Sequence, residues 1–336
     1  MGVNNRLVYY RALAGTLSLR KAYNFVTVEA AYLLSRIFRK AILAGKPWAA
    51  SIEPTTSCNL RCTECPTGMQ SLSRPGGNMK TDTFRDILGK LSPDLIYLTL
   101  YFQGEPLLNP HFAEMVSIAR AQRVFVSTST NGHFLNDKNV DQILKSGLNH
   151  LIISLDGLDH STYEKYRVNG DFQLVIDGIH RLVAAKKAKK SRSPFIELQF
   201  LVMGHNEHQM IQMREFAKTA GVDKLAFKTA QVYNFDAGST VIPTLKEKSR
   251  YKQLPDGSWV MAKAIRNHCH RIWSSVVVTW DGKVVPCCYD KNADHQVGDL
   301  LKDSLAAIWE NRQYAAFRKQ LLRSRSEIEI CRNCGE

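Results

Sequence analysis

The chain reads as an α/β protein: a partial (β/α)6 barrel of the TIM type, followed by a small C-terminal domain of a β-hairpin and a helix. Three observations carry that reading. Short apolar runs alternate with helical patterns about six times between residues 50 and 228. The alternation stops near residue 246 and gives way to an Asp281-Gly282 turn between two alternating runs. The length, 336 residues of which 44% are hydrophobic, suits one large α/β domain with a smaller attachment.

Residues 1–49 stand apart by charge. Arg6, Arg11, Arg20, Lys21, Arg36, Arg39, Lys40 and Lys46 face the single acid Glu29, eight bases against one acid, so this segment carries +7 of the chain's +14. Val26, Ala30, Leu33, Leu34, Ile37, Phe38, Ala41 and Ile42 recur at spacings of three and four and predict a helix over 22–44, stopped by Gly45 and Pro47. A shorter helix is expected within 6–20. Two placements are open for this basic, amphipathic helix: its apolar face docks on the body of the protein, or it lies on an anionic membrane. The two can coexist.

The body spans 50–245. Strands are expected at 50–53, 95–101, 123–127, 151–154, 197–202 and 224–228, with helices over 81–90, 110–121, 138–146, 172–186 and 207–219. Right-handed crossovers turn such an order into a parallel sheet covered by helices, with the chemistry at the C-terminal ends of the strands. The basic run Lys186, Lys187, Lys189, Lys190 and Arg192 reads as a solvated helix face. Residues 246–336 supply the hairpin, a helix over about 302–321 and a closing Cys331-Arg332-Asn333-Cys334.

The eight cysteines fall into two groups, with none between 66 and 268. A disulfide scaffold would spread them more evenly. The first thirty residues carry no secretory apolar core, and no run reaches the roughly 18 apolar residues that cross a bilayer. A reducing, cytoplasmic compartment with metal-bound thiolates is therefore expected, with peripheral membrane contact through residues 22–44 left open. The basic stretches lack the interleaved aromatics of a base-stacking platform, so nucleic acid is not expected as a partner.

The first cysteine run, Cys58-Asn59-Leu60-Arg61-Cys62-Thr63-Glu64-Cys65, follows the first strand with C-x3-C-x2-C spacing. Three thiolates can hold three irons of a cubane cluster and leave the fourth open to bind and reduce something. Zinc, the plain alternative, prefers four ligands, and no obvious fourth lies nearby. The second strand runs into Gln103-Gly104-Glu105-Pro106, where a small residue admits a close backbone approach and a carboxylate can pair with an amine. The third ends in Thr130-Asn131-Gly132, which is equally a plain turn pair. The fourth ends in Ser154-Leu155-Asp156 and the fifth in Val202-Met203-Gly204.

In this order the motifs resemble those of the radical S-adenosylmethionine (SAM) superfamily, over about residues 50–336. The resemblance implies that Cys58, Cys62 and Cys65 bind a [4Fe–4S] cluster whose open iron takes the amino and carboxylate groups of SAM. It implies reductive cleavage of SAM to methionine and a 5′-deoxyadenosyl radical. Gly104 and Glu105 match the family's Gly-Gly-Glu-Pro motif, with Gln103 where the first glycine is usual. By the same resemblance Asn131, Ser154 and Asp156 line the SAM pocket, Arg167 meets the SAM carboxylate, and Val202 and Gly204 pack on the adenine. The tail resembles the SPASM domain in its shortened, twitch form. That implies a second [4Fe–4S] cluster on Cys269, Cys287, Cys331 and Cys334, with Cys288 as an extra thiol; a zinc knot is the alternative. A flavodoxin- or ferredoxin-type reductant is implied as well.

An auxiliary cluster with four cysteine ligands has no open iron, so electron transfer suits it better than substrate anchoring. The expected enzyme is a radical SAM oxidoreductase of dehydrogenase type, acting on a small polar or lipid-linked, anionic substrate. The alternatives are a peptide-modifying maturase and an epimerase or rearrangement enzyme. A cluster-free binding protein of the same fold is disfavoured by the presence of Cys58, Cys62, Cys65 and Glu105 together.

Overall fold

The computed structural model describes residues 3–335. Two helices, α1 (Val3–Ala14) and α2 (Leu19–Phe38), precede the barrel. The barrel alternates β1 (Ala49–Ile52), α3 (Thr81–Leu91), β2 (Tyr97–Thr99), α4 (Phe112–Ala121), β3 (Phe125–Thr130), α5 (Asp137–Ser146), β4 (His150–Ser154), α6 (His160–Glu164), α7 (Phe172–Ala188), β5 (Phe195–Val202), α8 (Met210–Thr219) and β6 (Lys224–Thr229). All six strands pair in parallel and in sequence order.

Side chains alternate across these strands. One set, including Leu98, Val126, Ile153, Leu198 and Phe200, is fully buried in the main core. The alternate set, including Thr99, Ile152, Gln199 and Lys228, lines a cavity of about 1480 Å³. The sheet thus wraps around usable space instead of closing into a filled core.

The tail begins with a small antiparallel pair, β7 (Tyr251–Gln253) and β8 (Trp259–Met261). Then come α9 (Arg271–Ser274), β9 (Ser275–Val278), β10 (Lys283–Val285), β11 (Gly298–Asp299), α10 (Leu305–Glu310) and α11 (Arg312–Ser324). The Asp281-Gly282 hairpin forms, with Gly282 at φ +85° where a Cβ would strike Leu301. Its first strand also pairs in parallel with β1, Ala50 against Val276 and Ile52 against Val278. The result is one nine-stranded sheet, ordered β11-β10-β9-β1-β2-β3-β4-β5-β6. This pairing places β1, and the cysteine loop after it, between the barrel and the tail. The single helix expected over 302–321 is two, because Asn311 caps the second by accepting from Tyr314 N at 2.8 Å.

The N-terminal helix differs from expectation in length and in orientation. It ends at Arg39, which takes the left-handed conformation (φ 51°), and the chain folds back before Gly45. Gly45 sits so close to α2 that a Cβ would meet Asn24 and Val28. The face docked on the body is Lys21, Asn24, Val28, Ala31 and Ser35. Lys21 Nζ donates to Arg123 O at 2.8 Å, Asn24 exchanges two hydrogen bonds with the Lys46 backbone, and Glu29 accepts from Trp48 Nε1 at 3.0 Å. The apolar stripe of Val26, Leu33, Leu34 and Ile37 is on the opposite, exposed face. Docking by that stripe is therefore overturned: hydrogen bonds together with the buried Val28 and Ala31 hold α2, and Val26, Leu33, Leu34 and Ile37 face outward.

Candidate functional site

The loop after β1 carries Cys58, Cys62 and Cys65, with Cys62 buried and the other two half-buried. It is held from both sides. Arg61 N donates to Val168 O at 2.9 Å, and Met69 N donates to Cys65 O at 2.7 Å. A Cβ on Gly68 would lie 2.5 Å from the Cys62 backbone, so only glycine lets the loop turn back on itself. Burial pushes the Cys58 thiol up to about 11 and raises Cys62 against the opposing pull of Arg167. Bound iron reverses such shifts, because it holds its thiolates deprotonated.

Glu105 lies at the end of the second strand unit, 2% exposed. It accepts from Thr130 Oγ1 at 2.7 Å, Asn131 N at 2.7 Å and Leu107 N at 3.1 Å. Burial outweighs these donors and pushes its carboxyl up to about 7. A cationic amine beside it would restore the charge. Gly104 has φ +73°, and a Cβ there would meet Thr55 O at 2.5 Å and Ser57 O at 2.8 Å. The close approach is thus to the root of the cysteine loop. Gln103 fits without the usual glycine by turning its side chain to accept from Thr67 Oγ1 at 3.2 Å.

Asn131 joins the two parts. Its amide nitrogen donates to Asn59 Oδ1 at 2.8 Å and lies 3.9 Å from Cys58 Sγ. Arg167 plays the matching part at Cys62, with Nη1 3.7 Å from Sγ. Burial opposes its charge, but Asp156 and Cys62 together hold the guanidinium charged. Asp156, fully buried, grips Arg167 through Nε at 2.7 Å and Nη2 at 2.6 Å and accepts from Leu201 N at 2.7 Å. Its carboxylate orients the Arg167 guanidinium. Ser154 ends β4, buried and paired with Gln199. Val202 ends β5 in the main core. Gly204 is small for a local reason: a Cβ would strike Thr240 O at 2.8 Å and Ile242 O at 3.0 Å.

In the tail, Cys269, Cys287, Cys331 and Cys334 are all buried and line one internal void together with Arg325 and Tyr289. Burial raises Cys269 and Cys287 and pushes Cys331 up to about 11. Arg325, itself 1% exposed, donates to Cys334 Sγ at 3.0 Å. Its cation suits a group of four thiolates around iron, which carries net negative charge. Cys288 does not line that void; it faces the large cavity, with Arg271 Nη1 3.9 Å away. Among the described residues no three His, Cys, Asp or Glu side chains converge as around a single ion. A sulfur-only donor set suits iron–sulfur clusters.

Sequence reasoning missed four residues here. Arg325 is one arginine among many until the fold brings it to Cys334. Tyr101 lines the large cavity while its hydroxyl, raised by burial, feels Cys65, Glu105 and Cys58. Glu53 and Arg74 form a buried bidentate pair, at 2.5 and 2.7 Å, that ties the end of β1 to the loop beyond the cysteines. Trp280 N in the hairpin turn also donates to Glu53, at 3.2 Å.

The radical SAM superfamily model matches residues 52–217, and an iron–sulfur cluster-binding domain of the SPASM type matches residues 269–335. The tungsten-containing aldehyde ferredoxin oxidoreductase cofactor-modifying protein of Pyrococcus furiosus is 25% identical over 297 residues, covering 80% of this chain and 82% of that protein. Mycofactocin maturase of Mycobacterium tuberculosis is 24% identical over 313 residues, covering 86% of this chain and 76% of that one. In structure, Streptococcus suis SuiB bound to S-adenosylmethionine superposes with a TM-score of 0.63 at 12% identity, over 87% of this chain and 73% of that one. The chain belongs to the radical SAM superfamily, as a SAM-dependent iron–sulfur enzyme with a SPASM-type C-terminal domain.

Proposed function

We propose that this enzyme oxidises a polar substrate by two electrons, as a dehydrogenase does. Cys58, Cys62 and Cys65 would hold the SAM-binding [4Fe–4S] cluster, and Cys269, Cys287, Cys331 and Cys334 a second one. When bound, the first cluster and SAM supply a carbon radical that takes a hydrogen atom from the substrate. Glu105 would receive the SAM amine, Arg167 would meet the SAM carboxylate, and Asn131 would brace the loop that carries Cys58.

One observation carries the reading. A single cavity of about 1480 Å³ is walled by Tyr101, which adjoins the first thiols, and by Cys287, one of the second set. A substrate there would lie between both groups. It would lose a hydrogen atom from carbon, then a proton to a base and one electron to the tail. Lys228, Lys291 and Arg271 line the same cavity and suit an anionic substrate. Leu13, Leu17 and Val26 at its other end leave room for an apolar tail, as in a lipid-linked compound.

The test is anaerobic incubation of the reconstituted enzyme with SAM, reductant and cell extract. The product should be two mass units lighter than the substrate, with one SAM consumed per turnover. A product of unchanged mass would replace oxidation by epimerisation or rearrangement. Its likeness to the PqqA peptide cyclase of Granulibacter bethesdensis favours a second reading, a peptide substrate, which a modified peptide in the same incubation would establish.

A further inference from the structure

The outward face of α1 and α2 is not accounted for by any reaction in the barrel. At about 100° per residue, Leu19, Tyr23, Val26, Leu33, Leu34 and Ile37 fall on one side of α2, opposite the docked face. They are bare: Leu19 is 93% exposed, Val26 64% and Ile37 62%. They are not displaced core residues, because α2 is already held by hydrogen bonds from its other side.

The charges around this stripe have one sign. Arg11, Arg36, Arg39 and Lys40 are exposed, while the segment's single acid, Glu29, pairs with His270 at 2.8 Å. We infer that this face docks on a bilayer containing anionic phospholipid. An apolar stripe sinks among the acyl chains while flanking arginines and lysines meet the headgroup phosphates. Two copies of this chain joined through the face would oppose two segments of +7, and a nucleic acid would strand the stripe against phosphates. No described helix is long and apolar enough to cross a membrane, so α2 lies in the surface plane. Val26 belongs both to the stripe and to the cavity lining, and the exposed Tyr10 and Leu17 line the same cavity, so the outward face carries a mouth of the cavity.

This inference goes beyond the reaction proposed above and does not depend on it. The test is flotation of the full-length, cluster-loaded protein with vesicles of phosphatidylcholine alone or mixed with phosphatidylglycerol. Recovery should be at least about tenfold higher on the anionic vesicles and should fall with added salt. The variant Tyr23→Glu/Leu33→Glu/Ile37→Glu changes only exposed positions. It should lose this binding while reductive SAM cleavage stays at the wild-type rate. Equal recovery on both vesicle types by the wild type overturns the inference, whatever the variant does. A wild-type dimer in solution that the triple substitution dissociates would also overturn it, by assigning the face to a second copy.

Discussion

Glu105 is a carboxylate poised by burial. Its three donors fix its direction, yet burial pushes its carboxyl up to about 7. A charge-assisted hydrogen bond to an amine is stronger than a neutral one. Glu105→Gln should therefore weaken SAM binding by about tenfold or more while leaving iron content unchanged. The sign of the pH effect follows from the raised value. Below about 7 the carboxyl is protonated and cannot pair with a cation, so SAM affinity should fall as pH drops through that range and level off above it. Glu105→Gln should lose that dependence. Titrating the cluster's electron paramagnetic resonance signal with SAM at several pH values checks both; a variant that binds SAM as wild type does would remove Glu105 from the site. Arg325 makes a second prediction at this scale. Its cation beside Cys334 favours the more negative, reduced state of a cluster there. Arg325→Ala should lower the reduction potential of the tail cluster by about 60 mV, a tenfold change for one electron, and Arg325→Lys by less. An unchanged potential in a redox titration would leave Arg325 only a packing role.

Among the elements, β4, β5 and β6 are clamped near their starts by Glu197. It accepts from Lys224 at 2.8 Å and lies 3.3 Å from His150 Nε2. Burial alone would raise its carboxyl, but these partners win and hold it at about 2. A depressed carboxylate stabilises the fold above its unfolded value and loses that contribution as pH falls through the folded one. Glu197→Gln should cost about 2 kcal/mol at pH 7, after discount for solvent screening. The gap to wild type should close between about pH 5 and pH 2 in denaturant melts. A gap independent of pH would mean the loss is one of packing. The strands themselves were legible because their apolar runs are short and bounded, and the hairpin because Asp281-Gly282 announces it. The face of α2 was not. Sequence logic sends Lys21, Asn24 and Ser35 to solvent, and only the fold supplies the carbonyls and amides that bury them. Arg39 ending that helix was equally hidden, since nothing local marks a non-glycine for the left-handed region.

Across the whole molecule, spacing and the resemblance it carries pointed to seven thiols, but not to what lies between them. The parallel pairing of β9 with β1 joins residues more than two hundred positions apart, and no local pattern records it. It sets Cys287 on one wall of the large cavity and Tyr101, whose hydroxyl feels Cys65 and Cys58, on another. It also shows why the Glu53–Arg74 pair is buried at the seam of barrel, loop and hairpin. The two roles of the thiols are separable, and one measurement separates them. Wild type and the variant Cys58→Ala/Cys62→Ala/Cys65→Ala, reconstituted anaerobically side by side, should hold about eight and about four irons per chain. The variant should release no 5′-deoxyadenosine from SAM under reduction, while its remaining cluster stays reducible. Release of 5′-deoxyadenosine by the variant, or an unchanged iron content, would contradict the assignment of these three cysteines to the SAM-cleaving cluster.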